Sequence, residues 1–323
     1  MLRYRHSKAE GVTVWSGQDV EQRLPAEQTR AEPAAQAEKV PPEWFQRAVR
    51  TPAEHLWTTC ADGTRIAFRC WGAEGAPGAL LVHGGGAHAG WWDHIAPLLG
   101  GGLHVAAVDL SGHGESERRP DYSLPQWAGE VAAVLVAARL GTRPILVGHS
   151  MGGGVALCAA DHIGDDLGGV VVVDSPFRDL TAEQARERAA RALRPVRPSP
   201  TRAEMVARFR PLPDAGTYPA WMLSWIAESS VVETPQGWVW NHDPRVRARP
   251  PLGFADVTRV GCRLAVLRAE HGMLTPRMCA TLAERVGSPF PEVVLAGATH
   301  HVMLDQPLSL AAALSAILAV WSC

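Results

Sequence analysis

The stretch Pro144-Ile-Leu-Val-Gly-His-Ser-Met-Gly-Gly-Gly-Val-Ala-Leu157 decides the fold of this 323-residue chain. An apolar strand pattern at residues 145–147 leads directly into Gly148-His-Ser-Met-Gly152, and a helical pattern follows at once. Glycines on both sides of the serine let strand and helix pass closely, while the serine is held in a strained conformation with its hydroxyl exposed. The context therefore predicts a nucleophilic Ser150. The alternative is that the glycines serve only to let the start of the helix pack closely, without a catalytic serine.

Strand and helix patterns alternate on both sides of this stretch. All-apolar runs of this kind are typical of strands buried on both faces of a parallel sheet. The predicted strands are residues 79–82, 104–109, 145–147, 170–173, 264–267 and 292–295. The predicted helices are residues 92–99, 124–139, 276–285 and 307–321. A hairpin with its turn at Asp62-Gly63 precedes them, so the sequence predicts an α/β fold.

The alternation stops at Ser175-Pro176, which marks an insertion in the sheet. Residues 176–258 are helix-like, broken by many prolines and rich in tryptophan, and we interpret them as a helical cap. Residues 51–175 and 259–323 then form the core. Residues 1–50 are predicted to be a mobile extension, with a short amphipathic piece near Phe45 that packs onto the domain edge.

Composition excludes several classes of partner. A net charge of −2 gives no reason to expect nucleic acid or an anionic membrane surface. The sequence has no apolar segment long enough to span a bilayer and no apolar signal-peptide core, so we predict a cytoplasmic protein. Six scattered cysteines are expected to be reduced thiols. We predict no cofactor and no metal, and the sequence does not indicate an oligomeric state.

A serine hydroxyl needs a base to accept its proton, and His300 is the best candidate among the 13 histidines. It lies in a loop after the last predicted strand, at the sheet edge where open α/β sheets place their ligands. Its neighbour His301 is the local rival. The alternative for both histidines is a structural role, as polar residues at the start of the last helix.

Two backbone amides must stabilise the oxyanion that forms during attack. We expect one from Met151 at the helix start and the other from Gly85, in the glycine run after the strand at residues 79–82. A rival hypothesis treats nearby side chains as a metal site, although their spacing matches no standard ligand set. Those side chains are His83, His88, Asp93 and His94.

Four motifs resemble the successive signatures of the α/β-hydrolase superfamily. They are His83-Gly84, Asp109-Leu-Ser-Gly-His-Gly-Glu-Ser116, Gly148-His-Ser-Met-Gly152 and Gly297-Ala-Thr-His300. The resemblance covers roughly residues 55–323. It implies a mostly parallel, eight-stranded sheet with helices on both faces and a helical cap after the sixth strand. It also implies Ser150 as nucleophile, His300 as base, and Gly85 with Met151 as oxyanion hole.

The triad acid departs from the family pattern. The resemblance places it a few residues after the strand at 264–267, where this chain has Gly272. Asp174 ends the preceding strand and matches an alternative acid position of some family members, and Glu270 lies two residues before the vacant position. We favour Asp174 as the acid. The alternative is that its carboxylate has a structural role and caps the start of the cap insertion.

These features predict a serine hydrolase that cleaves a small, fairly apolar ester, lactone or related acyl substrate through a covalent acyl-enzyme. A carbon–carbon bond hydrolase, perhydrolase or lyase would use the same side chains, so these alternatives stay open. A non-catalytic ligand-binding protein of the same fold is the remaining alternative, favoured only by the vacant acid position at Gly272.

Overall fold

The computed structural model describes residues 40–194, 197–213, 216–257 and 260–322. Its main sheet has eight strands in the order β1-β2-β4-β3-β5-β6-β9-β10. These strands are β1 (Glu54–Thr59), β2 (Arg65–Trp71), β3 (Gly78–Val82), β4 (His104–Val108), β5 (Ile145–His149), β6 (Gly169–Val173), β9 (Leu264–His271) and β10 (Glu292–Thr299). The β1–β2 and β2–β4 pairs are antiparallel and the other neighbours are parallel. The predicted mostly parallel, eight-stranded sheet is confirmed.

Helices cover both faces of the sheet. They are α1 (Glu43–Arg50), α2 (Leu124–Ala137), α3 (Met151–Ile163), α4 (Ala182–Ala192), α5 (Arg202–Ala207), α6 (Ala220–Ser229), α7 (Pro276–Val286), α8 (Val302–Asp305) and α9 (Pro307–Trp321). All five residues of β3 are buried, and consecutive side chains face opposite cores. Leu80 packs with Trp127 of α2, while Leu81 packs with Leu314 of α9. This two-sided burial explains the continuous apolar runs in the sequence.

The segment predicted as a helix at residues 92–99 is instead two short 3₁₀ turns, Ala89–Trp92 and Ala96–Leu98. Pro97 lies at the start of the second turn and has no amide hydrogen to donate, so an α-helix could not run through this point with its bonds complete. β3 and β6 end where predicted and β4 ends one residue earlier, whereas β5 extends two residues further than predicted, to His149. β9 and β10 extend four residues further, to His271 and Thr299.

The sequence predicts a helical insertion after β6, but the insertion is only partly helical. Besides α4, α5 and α6 it contains an antiparallel hairpin, β7 (Val231–Thr234) and β8 (Gly237–Trp240). β-Branched and aromatic residues fill these two strands, and Gly237 adopts a φ of 118° at the turn. The predicted boundary of the insertion at residues 258 and 259 lies outside the described residues.

The predicted N-terminal extension, residues 1–50, lies largely outside the described residues. Its last part forms helix α1, in which Phe45 is 3% exposed. Residues 43–50 therefore belong to the packed structure rather than to an extension, because Phe45 joins one of the two apolar cores. In the part of the chain that the structure describes, no helix is both long and apolar enough to cross a membrane.

Candidate active site

Ser150 lies at a sharp turn between β5 and α3, where its φ is 52° and its ψ −118°. This conformation costs energy for a residue with a side chain, and it persists because the surroundings leave no alternative. A Cβ at Gly148 would overlap the carbonyl of Gly152, and one at Gly152 would overlap the carbonyl of Val82. Both glycines are thus required for strand and helix to approach closely enough to hold Ser150 at the turn.

The structure brings Ser150, His300 and Asp174 into one hydrogen-bonded chain. His300 Nε2 lies 3.0 Å from Ser150 Oγ, and His300 Nδ1 lies 2.7 Å from Asp174 Oδ2. The carboxylate only accepts hydrogen bonds, so the proton of the neutral imidazole resides on Nδ1 and Nε2 is free to accept from the serine hydroxyl. Asp174 is fully buried and His300 is 3% exposed.

Backbone amides of the loop after β9 hold Asp174 in place. Met273 N donates to Oδ2 over 2.8 Å and Leu274 N donates to Oδ1 over 3.2 Å. Asp174 itself has a φ of 41°. A Cβ at Gly272 would overlap the Asp174 carboxylate. The loop after β9, where the family pattern predicts the acid, wraps around a carboxylate supplied by the neighbouring strand. A side chain at position 272 would leave no room for that carboxylate.

The two rival side chains take other positions. Glu270 is exposed and accepts a hydrogen bond from Gly297 N over 2.8 Å, so its carboxylate is turned away from the His300 ring. His301 is 6% exposed with its ring centre 5.0 Å from that of His300. Burial, together with the charge on His300, lowers the pKa of His301 to about 3. His301 is therefore neutral near pH 7, and Ser150 is hydrogen bonded to His300.

Gly85 and Met151 lie side by side next to Ser150. A Cβ at Gly85 would be 3.6 Å from the Met151 Sδ and 3.9 Å from its Cβ. Met151 is the first residue of α3, so its amide has no acceptor within the helix. Neither amide donates to another protein group in the described residues. Two free N–H groups beside the serine suit an anionic oxygen.

His149 is a site residue that the sequence analysis did not identify. Its Nε2 donates to the backbone oxygen of His300 over 2.8 Å. Burial is the main reason that the pKa of His149 lies well below 6.5, so the ring stays neutral. It fixes the His300 backbone from the turn that carries Ser150. On the other side, Thr299 donates its hydroxyl proton to Asp305 and fixes the start of the same loop.

The histidines of the rival metal hypothesis each have a protein partner. His83 contacts Gly84 O, His88 contacts Ser230 Oγ and Gly90 N, Asp93 pairs with Arg69, and His94 contacts Met303 O. Among the described residues, the one cluster with ligand spacing is His149, His300 and His301, whose nitrogens lie within 4.8 Å of one another. Both His300 nitrogens are already hydrogen bonded, to Asp174 and to Ser150, so a metal bound to His300 would have to displace one of these bonds.

A cavity of about 740 Å³ opens beside these groups. Gly85 and His301 form part of its wall, which places it next to Ser150. Trp91 and Trp240 supply the apolar surface expected from the tryptophan-rich insertion. The rest of the wall is more polar than the sequence predicted, because several arginines line it. No motif or spacing in the sequence predicts that these arginines lie near Ser150.

Comparisons with known proteins agree with this geometry. The sequence profile of the alpha/beta hydrolase family matches residues 79–313. The esterase Rv0045c of Mycobacterium tuberculosis is 38% identical over 122 residues, which cover 35% of this chain and 40% of that protein. The lipase LipV of the same organism is 27% identical over 262 residues, which cover 75% of this chain and 93% of LipV. The chain spans 27% to 40% of the length of the first curated relatives that it matches.

A solved structure gives the same result over the whole domain. The hypothetical protein PA1622 from Pseudomonas aeruginosa PAO1 superposes with a TM-score of 0.67 at 25% sequence identity. The superposition covers 84% of this chain and all of the PA1622 chain. The similarity therefore extends beyond the segments that sequence alignment matches.

Proposed function

The chain belongs to the alpha/beta hydrolase family, and from that premise we propose that it is an enzyme of the ester-hydrolase type that cleaves small esters through a covalent acyl-enzyme on Ser150. The observation that carries the proposal is the hydrogen-bonded chain from Ser150 through His300 to Asp174. The esterase and lipase among its relatives support the same reaction class.

In the proposed first half-reaction, Ser150 Oγ attacks the carbonyl carbon of the ester while His300 Nε2 accepts its proton. Asp174 holds the imidazole in the required tautomer and stabilises the imidazolium that forms. The amides of Gly85 and Met151 donate to the developing oxyanion. One such donor typically contributes about 3 kcal/mol of transition-state stabilisation. His300 then gives the proton to the departing alkoxide, which leaves an acyl-enzyme.

The second half-reaction reverses these roles with water as the nucleophile. His300 takes a proton from water, the resulting hydroxide attacks the acyl-enzyme, and the proton returns to Ser150 as the acid is released. The turn around Ser150 and the hydrogen bonds to His300 do not have to move for either step. We propose that this preorganisation, rather than a large conformational change, is the main source of rate acceleration.

The test is turnover of p-nitrophenyl acetate and butyrate by the full chain and by Ser150→Ala. We expect the variant to lose the activity and its labelling by a fluorophosphonate probe, because Ser150 carries the one hydroxyl that is hydrogen bonded to His300 within the described residues. Ser175→Ala is the matched control, since Ser175 lies nearby and its hydroxyl donates to the Val173 carbonyl rather than to His300. Equal turnover by Ser150→Ala and the parent would refute the proposal.

The non-catalytic alternative loses its support, because the acid that seemed absent at Gly272 is matched by Asp174 at hydrogen-bond distance from His300. The structure gives no observation that favours carbon–carbon hydrolysis, perhydrolysis or lyase chemistry. A small-molecule substrate accords with the esterase relatives. A cytoplasmic location stays a prediction.

A further inference from the structure

One wall of the cavity beside Ser150 is strongly basic. Seven arginines from four separate segments line it: the turn before α4, helix α4 with the turn after it, the turn after α5, and the 3₁₀ turn Pro244–Arg247. None of them forms an ion pair within the described residues; they are Arg178, Arg188, Arg191, Arg194, Arg208, Arg210 and Arg247. Glu187 is the one carboxylate in the described lining. The charges in this wall are therefore not balanced by the protein.

Arg247 lies deepest among these arginines, against the glycine loop that carries Gly85. A Cβ at Gly86 would be 2.6 Å from Arg247 Nη2, so the absence of a side chain at 86 makes room for the guanidinium. Burial, and then the charge of Arg188, lowers the pKa of Arg247. Two cations thus face the same space, with the inner one partly removed from water.

Two other arginines that are buried or half-buried have carboxylate partners: Arg69 lies 2.6 Å from Asp93, and Arg119 Nε lies 2.9 Å from Glu130. Arg249 shares with Arg247 the lack of a carboxylate partner in the described residues, but its guanidinium lies over the Trp127 ring instead of lining the cavity. Removing a guanidinium from water without a partner costs free energy, and a second cation nearby adds repulsion. An anion that bridges Arg247 and Arg188 would relieve both costs, because guanidinium groups bind carboxylate and phosphate through paired hydrogen bonds.

A second part of the cavity wall is aromatic. The Trp91 and Phe209 ring centres are 6.2 Å apart, and those of Phe209 and Trp240 are 5.7 Å apart. Trp91 also contacts His301, with ring centres 5.6 Å apart. The aromatic surface therefore continues from the neighbourhood of His300 along the cavity. It suits the methylene chain of a substrate.

From these two walls we propose that the cavity binds an ester or thioester with an anionic group at one end, a carboxylate or a phosphate, which Arg247 and Arg188 hold. The aromatic wall then covers the apolar chain between the anionic group and the reacting carbonyl. The inference rests on the proposed function, and it replaces the fairly apolar substrate predicted from sequence with an amphiphilic one.

Two matched substrate pairs test the proposal and distinguish the two anions. Monomethyl adipate is compared with methyl hexanoate, and methyl 6-phosphonooxyhexanoate with methyl 6-hydroxyhexanoate. We expect kcat/KM for the anionic member of at least one pair to exceed that of its neutral partner about tenfold or more. The pair that shows the preference identifies carboxylate or phosphate. Equal or faster turnover of the neutral member in both pairs would overturn the proposal.

Variants show whether the arginines cause this preference. In Arg247→Met and Arg188→Met, the anionic-to-neutral ratio of kcat/KM should fall about tenfold toward one. Arg186→Met is the matched control, since Arg186 lies on the same helix, is exposed and does not line the cavity. An unchanged ratio in the Arg247 and Arg188 variants, or an equal fall in Arg186→Met, would contradict the assignment.

A binding measurement separates this inference from the proposed hydrolysis. Adipate and 6-phosphonooxyhexanoate are titrated into Ser150→Ala. The signal is the change in total tryptophan fluorescence, to which Trp91 and Trp240 in the cavity wall contribute. We expect at least one of them to bind, and Arg247→Met in the same background to weaken binding about tenfold. Binding without any turnover by the parent enzyme would refute only the hydrolysis. Absence of binding by both ligands would refute only the anion site.

Discussion

At the scale of single residues, the relation between Asp174 and Gly272 determines how the acid is supplied. The carboxylate of Asp174 occupies the space that a side chain at 272 would need, and the amides of Met273 and Leu274 donate to it. The loop after β9 thus serves as the binding site for an acid from β6. A variant with carboxylates at both 174 and 272 would place two negative charges next to each other.

Asp174→Asn should lower kcat/KM about 10³- to 10⁴-fold, because an amide cannot hold His300 in the required tautomer. It should also lower the free energy of unfolding by about 1–3 kcal/mol, because backbone N–H groups donate to both carboxylate oxygens and the new NH2 group cannot accept from one of them. Asparagine tolerates the φ of 41° at this position. Kinetics on p-nitrophenyl butyrate and thermal unfolding measure the two effects. Glu270→Gln is the matched control, since its carboxylate contacts Gly297 N, and we expect a change of about twofold or less. Comparable losses in both variants would show that Asp174 is not the triad acid.

Gly272→Asp alone should lower the free energy of unfolding by about 2–3 kcal/mol, because the new side chain overlaps the Asp174 carboxylate. Asp174→Gly combined with Gly272→Asp should regain part of the stability and activity, since glycine accepts a positive φ and the new carboxylate enters the vacated space. Urea unfolding and esterase kinetics follow the two properties. A double variant no more active than Asp174→Gly would contradict this exchange.

At the scale of helices and strands, the strength of the apolar pattern determines what the sequence could predict. The strands buried on both faces, such as β3 and β6, were found because every residue in them is apolar. The hairpin β7–β8 was missed because its short strands are half-buried and lie among prolines that suggested broken helices. The carboxyl ends of β9 and β10 were missed because neither continues the apolar run. β9 ends in Arg-Ala-Glu-His271, and β10 ends in Ala-Gly-Ala-Thr299 with a shift in register between Leu295 and Thr299.

Phe45→Ala should lower the free energy of unfolding by about 3 kcal/mol, because α1 is attached to the domain mainly through this ring. The Phe45 ring centre lies 4.6 Å from that of Trp221 and 5.8 Å from that of Trp225, both on α6. Chemical denaturation measures the loss. Arg50→Ala on the same helix is the control, since Arg50 is exposed, and its effect should stay within about 0.5 kcal/mol. Equal unfolding midpoints for the two variants would show that α1 adds little stability.

At the scale of the whole molecule, the order of strands explains which parts of the site the sequence could reveal. Ser150 and Asp174 directly follow the adjacent strands β5 and β6, and His300 follows β10, two strands further along the same edge. Residues at strand ends are therefore predictable once the sheet is predicted. The basic wall is not, because Arg188 and Arg247 lie in an insertion whose packing no periodic pattern specifies.

Acid should destabilise the whole molecule between pH 6.5 and 4. Burial lowers the pKa of His83 and His94 to about 4, and that of His88, His242 and His301 to about 3. Unfolded histidine has a pKa of about 6.5, so the unfolded chain binds more protons in this range and the free energy of unfolding falls as pH falls. Four acids act in the opposite sense, because burial raises the pKa of Asp109 to about 6 and also raises the pKa of Asp93, Glu130 and Asp305. The histidines outnumber them, since burial also holds the pKa of His113 and His149 well below 6.5.

We therefore expect the unfolding temperature to fall by about 10 °C or more between pH 7 and pH 5 at constant ionic strength. Scanning calorimetry at several pH values measures it. His94→Gln should make the dependence shallower by about one proton, since glutamine can still donate to the Met303 oxygen that His94 contacts and does not titrate. An unfolding temperature that is constant or higher at pH 5 would mean that these histidines are protonated in the folded chain. The histidine rings near Ser150, which include His149 and His301, would then be charged rather than neutral.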